Sequence, residues 1–152
     1  MGLLASLPGR SALWHATVQA VARSAIAGGR LLLFGPAGSG KTVLAEAVVD
    51  WLNNQARVSA SEQRCAARLV DDIDVQSRPD ADLLRTRLEA GSQLLTVATT
   101  EGLTTADLDD RLLGEFEHVV GVPDLSRRPD DIADIAAQVV SRITDGRAAL
   151  TR

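Results

Sequence analysis

Apolar residues along the chain recur with two different periods, and the two alternate. Trp14, Val18, Val21 and Ala25 fall three or four residues apart, the spacing of one face of a helix. Ser11 offers a cap and Gly28-Gly29 a stop, so a helix is expected to run to about Ala27. Leu31, Leu32, Leu33 and Phe34 then form an unbroken apolar run, as a strand buried on both faces requires. Helical spacing returns with Leu44, Val48 and Trp51, which predicts a helix from about Lys41 to Leu52 that stops near Asn53-Asn54. Arg57-Val58-Ser59-Ala60 reads as a short edge strand, and residues 66 to 70 as a stronger one. A third helix opens near Ser77-Arg78-Pro79-Asp80, where proline suits the first turn and Asp80 the positive helix end. Leu83, Leu84 and Leu88 would be its buried face and Gly91 its end. Residues 93 to 98 predict a strand, and Thr104 to Asp107 carry a capping signal for a short helix through about Leu113. His118 to Val122 is a further strand, closed by Pro123. From Pro129 to Ile143 the pattern is the cleanest in the chain, with Ile132, Ile135, Ala136, Val139, Val140 and Ile143 on one face. Strands alternating with helices imply a parallel sheet covered on both sides, an α/β chain in three layers with five strands.

Between the first strand and the second helix lies Gly35-Pro36-Ala37-Gly38-Ser39-Gly40-Lys41-Thr42, a complete G-x-x-x-x-G-K-T/S phosphate-binding loop. The glycines let the backbone curl and turn its N–H groups toward an anion. Lys41 can reach the β- and γ-phosphates of a nucleotide, and the Thr42 hydroxyl can ligate Mg²⁺. The order strand, loop, helix puts the phosphates at a helix N-terminus. Further along, Arg68 to Val70 is an apolar strand that ends in Asp71-Asp72. Ligand sites of open parallel sheets lie at the carboxyl ends of strands, so Asp71 is expected beside the loop, where it can hold Mg²⁺. Asp72 can orient or deprotonate a water. The plain alternative is an acidic turn after a strand. At the end of the next strand, Thr100 either senses the γ-phosphate or is an ordinary turn threonine.

Composition narrows the picture only slightly. The 152 residues suffice for one domain with a real core. A net charge of −4 without a basic stripe argues against a free-standing nucleic-acid binder. Cys65 is the single cysteine, which excludes a disulfide framework and reads as a small buried strand residue. No apolar run approaches the ~20 residues of a membrane span, and the N-terminus lacks a signal peptide's apolar segment; a cytoplasmic location is expected. His15 and His118 lack partners at metal-ligand spacing, and Trp14 and Trp51 sit on apolar helical faces, as core residues do.

The loop, the acidic strand end and the terminal stretch together resemble the AAA+ ATPases. The branch they resemble is that of the bacterial enhancer-binding, sigma-54 interacting transcription regulators. Leu7-Pro8-Gly9-Arg10-Ser11 is similar to that family's opening, and Val119 to Ile132, with Pro123, Leu125, Arg127-Arg128 and Asp131-Ile132, to its strand, turn, arginines and helix start. The resemblance covers about residues 7 to 143. It implies a five-stranded AAA+ P-loop domain with strand order 5-1-4-3-2, ATP and Mg²⁺ as ligands, and homo-oligomers in which one subunit's arginine reaches its neighbour's nucleotide. Arg111 is the candidate for that finger, or else a surface arginine after Asp109-Asp110. Arg127 and Arg128 fit a structural role at the helix start better than a place near the base or an interface.

The departures from the family point to a degenerate member. Only the 28 residues 43 to 70 separate Thr42 from Asp71, so the segment that carries the sigma-contact loop is missing and no sigma-54 remodelling is expected. The family's catalytic Glu is Asp72 here, and its sensor Asn is Thr100. The helical lid would follow residue 143 and is expected to be absent. DNA would be reached only through a module not present in this chain. The expected function is an ATP-binding regulatory domain with weak or no hydrolysis. The alternatives are an active small AAA+ ATPase that remodels or loads a partner, a small-molecule phosphotransferase, and an interaction module that no longer binds nucleotide.

Overall fold

The computed structural model describes residues 2, 3, 7–58, 67–90 and 94–144; Cys65 lies outside them. The elements follow one another as α1 (Ala12–Ala27), β1 (Arg30–Gly35), α2 (Lys41–Val58), β2 (Ala67–Val70), α3 (Arg78–Glu89), β3 (Leu95–Glu101), α4 (Asp110–Leu113), β4 (His118–Gly121) and α5 (Ile132–Ile143). The strands form one parallel sheet of order β2-β3-β1-β4. This is the expected order 5-1-4-3-2 without its edge strand 2, the one read at residues 57 to 60. Among the described residues the sheet has four strands, because Arg57 and Val58, read as the start of an edge strand, belong to the last turn of α2; Ser59 and Ala60 lie outside the described residues.

Helix α2 also passes through Asn53-Asn54 instead of stopping there. Asparagine ends helices when its side chain bonds the local backbone, but that of Asn53 is engaged elsewhere. Its carbonyl oxygen accepts from the Ala67 N–H at 2.9 Å and its amide donates to the Ala67 carbonyl at 3.4 Å, pairing the first residue of β2 as a neighbouring strand would.

The central strand β1 explains the unbroken leucine run. Leu31 and Leu33 pack against Trp14, Val18, Val21, Leu44 and Val48 of α1 and α2. Leu32 faces the other way, onto Leu84, Leu88, Leu112 and Phe116. All three leucines are fully buried, and each such side chain contributes on the order of 2 kcal/mol by burial. The α1 stripe is as expected, with Ser11 as its cap (Trp14 N–H to Ser11 Oγ, 3.1 Å) and Gly28 at its end. In α3 the buried face is Ala81, Leu84 and Leu88, while Leu83 is exposed. The single helix expected from Thr104 to Leu113 is two pieces, a 3₁₀ turn at Thr105–Asp107 and α4, because the Asp109 side chain accepts the Arg111 N–H (2.8 Å) and starts a second helix.

The largest difference concerns α5. Its apolar face is as the spacing predicts, yet none of its residues is buried. Ile132, Val139 and Ile143 are 50%, 49% and 77% exposed. Among the described residues no helix is long and apolar enough to cross a membrane.

Candidate nucleotide site

The loop from Gly35 to Lys41 leaves the end of β1 and enters α2. Gly38 (φ 77°) and Gly40 (φ 88°) occupy the left-handed region that favours glycine. Gly35 is required for space, since a Cβ there would lie 2.7 Å from the Val122 carbonyl oxygen and 2.8 Å from Ser39 Oγ. The Ser39 N–H donates to the Pro36 carbonyl at 3.2 Å, which closes the turn around Ala37. The Lys41 ammonium folds back to the same carbonyl at 3.4 Å and is buried. Helix α2 then begins with no acidic residue in its first turn. The positive end of an 18-residue helix therefore opens onto the loop without an acidic residue in its own first turn.

The acidic strand end meets this helix start. Thr42 Oγ1 donates to Asp71 Oδ1 at 3.1 Å. The same carboxylate oxygen accepts a hydrogen bond from Thr99 Oγ1, and Thr99 Oγ1 in turn accepts the Asp72 N–H at 2.8 Å. The Ile73 N–H donates to the Thr99 carbonyl at 2.8 Å. Thr99 thus latches the ends of β2 and β3 together. Asp72 is held at φ 53°, the one described non-glycine residue with positive φ, and such backbone persists where its surroundings fix it. Both carboxylates are exposed.

Thr100 lies on the other side of the sheet. It is buried, and its hydroxyl donates to the Ile73 carbonyl at 2.7 Å. Successive strand residues face opposite ways, so it is Thr99, on the α2 face of β3, that stands with Asp71 and Thr42. Two adjacent threonines gave no sequence signal to choose between them. Arg111 is half-exposed on α4 and pairs with Asp109 at 3.4 Å.

Arg127 and Arg128 part company. Arg127 is exposed, whereas the Arg128 side chain is 2% exposed. The Arg128 guanidinium carbon sits 4.2 Å from the centre of the Trp14 ring. Its Nη2 donates to the Ser39 carbonyl within the loop, its Nε donates to the Pro123 carbonyl at 3.1 Å, and its Nη1 lies 3.7 Å from Asp131 Oδ2. Burial pulls its pKa down, and the Asp131 charge opposes that. Asp131 is itself fully buried, and burial alone would raise its pKa. Hydrogen bonds from the Ser11 hydroxyl and the Ser11 and Arg10 N–H groups outweigh this and, with Arg128, hold the carboxyl below its ordinary value.

Beside the loop is a cavity of about 120 Å³ lined by Gly38, Ser39 and Gly40, by Trp14 and Arg128, and by Ile135, Gln138 and Val139 of α5. The open apolar face of α5 therefore looks partly into this cavity.

A family model described as magnesium chelatase, subunit ChlI, matches residues 14–94. The match runs from α1 to the segment before β3 and stops short of the Val119–Ile132 stretch. No curated protein matches the chain by sequence. Among solved structures, the chain is similar to NtrX from Brucella abortus in complex with ADP (TM-score 0.66, 15% identity, covering 97% of this chain and 44% of that one). NtrX in complex with ATP gives a TM-score of 0.62 at 15% identity, over 93% and 42% of the two chains. The R170A variant of Thermotoga maritima RuvB gives 0.55 at 17% identity, over 93% and 53%. The likeness is one of fold, that of a parallel α/β AAA+ P-loop domain. This chain spans less than half the length of the NtrX chains and about half that of RuvB.

Proposed function

Because the chain belongs to the magnesium chelatase, subunit ChlI family, we propose that it is an ATP-binding domain that takes its nucleotide with Mg²⁺. The observation that carries this reading is the 3.1 Å contact between Thr42 Oγ1 and Asp71 Oδ1 at the start of α2. It brings two hard oxygen donors together beside the loop, the donor type that Mg²⁺ prefers. Thr42 and Asp71 would hold the ion, which when bound neutralises charge on the β- and γ-phosphates. Gly35 to Thr42 would cradle the phosphates through backbone N–H groups, with Lys41 swinging from the Pro36 carbonyl to the γ-phosphate. The cavity between the loop and α5 offers apolar walls at Ile135 and Val139 to a purine base.

The module is read as regulatory, in the manner of the enhancer-binding regulators it resembles. Hydrolysis is weak or absent, since Asp72 is one methylene shorter than the Glu of that family, and small misplacements at a reacting centre cost large rate factors. Copies would associate so that Arg111 of one faces the nucleotide of the next. Sigma-54 remodelling is not part of the reading, because residues 43 to 70 hold no segment for it, and DNA would be met through a separate module. A second reading, a working ATPase acting on a partner, is favoured by the constrained Asp72 backbone, because residues held in sparsely populated conformations cluster at functional sites.

Titration of the chain with Mg·ATP and Mg·ADP by calorimetry tests the proposal. The wild type is expected to bind both, and Lys41→Ala to lose at least about a hundredfold in affinity with the phosphate contact gone. Absence of binding by the wild type at millimolar nucleotide would overturn it.

A further inference from the structure

Arg128 is buried, charged and far in sequence from the loop, and its most direct contact is with one loop carbonyl, that of Ser39. Burying a guanidinium is costly, and an apolar side chain of similar size would fill the space against Trp14 at least as well. The chain instead satisfies the group on three sides. Pro123 takes Nε, Asp131 faces Nη1, and Trp14 lies under the plane. What remains is Nη2, and it is aimed at Ser39.

The consequence lies in the Ser39–Gly40 peptide. No described peptide bond is cis, and in a trans peptide the C=O and N–H point in opposite directions. A carbonyl pinned outward by Arg128 therefore turns the Gly40 N–H inward, toward the concave side of the loop. Gly40 is at φ 88°, so its orientation is not fixed by ordinary backbone preference, and glycine is the residue most free to turn. We propose that Arg128 is a positioning residue for phosphate binding, which presets the Ser39–Gly40 peptide so that the Gly40 N–H meets the anion.

This rests on the nucleotide reading of the loop, but it can be tested without a nucleotide. The probe is pyrophosphate, titrated into the wild type and into Arg128→Lys at a temperature well below unfolding. Lysine keeps the charge and lacks the planar fork. The expected result is a loss of about tenfold in pyrophosphate affinity, roughly the worth of one hydrogen bond to a charged group, in a variant whose near-ultraviolet circular dichroism matches the wild type. Equal affinity in the two proteins would overturn the proposal while leaving ATP binding by the wild type intact. Binding of pyrophosphate but not ATP by the wild type would refute the nucleotide reading and leave the comparison decisive. Failure to bind either overturns both.

Should Arg128→Lys not fold, the wild type carries the test: the Gly40 amide proton resonance is expected to move on saturation with pyrophosphate, because that N–H already faces the anion. A Gly40 amide unmoved at saturation would overturn the proposal.

Discussion

Ser11 gives both its backbone N–H and its hydroxyl to the carboxylate of Asp131, each at 2.7 Å, across 120 residues of sequence. The Arg10 N–H adds a third bond, also at 2.7 Å. The start of α1 is thus tied to the start of α5, next to the buried Arg128. The Asp131 carboxyl has a folded-state pKa below its ordinary value. A depressed carboxyl pKa contributes stability above the unfolded value, about 3.9, and that contribution is lost as pH falls toward the folded value. Urea unfolding is expected to show a flat stability near neutrality and a decline below about pH 4. Asp131→Asn should be less stable by about 3 kcal/mol at pH 7, since it leaves Arg128 without its buried partner. It should also show a shallower acid decline. Some slope should remain, because the Asp80 and Asp107 carboxyls are lowered too, the first chiefly by its hydrogen bond with Ser77 and the second by the Thr104 N–H. An unchanged acid profile in Asp131→Asn would contradict this.

Gly9 has φ 128°, and a Cβ at that position would stand 2.6 Å from Trp14 Cδ1 and 3.1 Å from Asp131 Cγ. Neither neighbour can retreat, because Trp14 is packed in the core and Asp131 is fully hydrogen-bonded. Gly9→Ala combines backbone strain with a clash, and should cost about 2 kcal/mol or more. Equilibrium urea denaturation measures it, and a loss under about 0.5 kcal/mol, the scale of ordinary surface changes, would show that the N-terminal segment is not held as described.

Thr99 and Thr100 should separate cleanly when each is changed to valine, which keeps the shape. Thr99→Val removes the donor to Asp71 and the acceptor of the Asp72 N–H, so Mg·ATP affinity should fall by several-fold, alongside a stability loss of about 1–2 kcal/mol for the broken latch. Thr100→Val leaves the Ile73 carbonyl without its donor in a buried place, costing about 1–2 kcal/mol of stability with nucleotide affinity unchanged. The reverse pattern would reassign the two residues.

Arg111 is half-exposed, with Asp109 as its ion-pair partner, a pairing worth less than about 1 kcal/mol at the surface. Arg111→Ala should therefore fold normally and bind Mg·ATP as the wild type does. Any turnover that rises with wild-type protein concentration should stop rising in the variant. Rapid turnover that grows with concentration in both would remove Arg111 from the reaction.

The alternation of strands and helices and the loop were legible because both depend on local pattern, whereas the strand order came only from the resemblance to the AAA+ ATPases. A leucine run between a helical stripe and a glycine loop has few other interpretations, and Leu31 to Leu33 are buried on both faces as that run requires. What could not be read depended on distant partners. Asn53 looks like a helix stop until the backbone of Ala67 is seen to bond its side chain. Periodicity identified the apolar face of α5 but could not say what covers it, and Ile132 and Ile143 are exposed. The destination of Arg128 was hidden for the same reason, since nothing in Arg127-Arg128-Pro129 indicates that the second arginine turns inward to Ser39 and Trp14.

The sheet order also dictates when the loop can form. β1 emerges from the ribosome before both of its neighbours, β3 and β4, with which it pairs in registers such as Leu31 with Val97 and with His118. Until those later segments are synthesised, both edges of the strand that carries Gly35 are unpaired. β2 and β3, by contrast, are consecutive and pair across a short separation. Long-range parallel pairings form slowly because a large loop must close first. The segment most easily read in the sequence therefore has for sheet partners only strands made after it, and a translational pause between residues 40 and 95 would prolong the exposure of its strand edges.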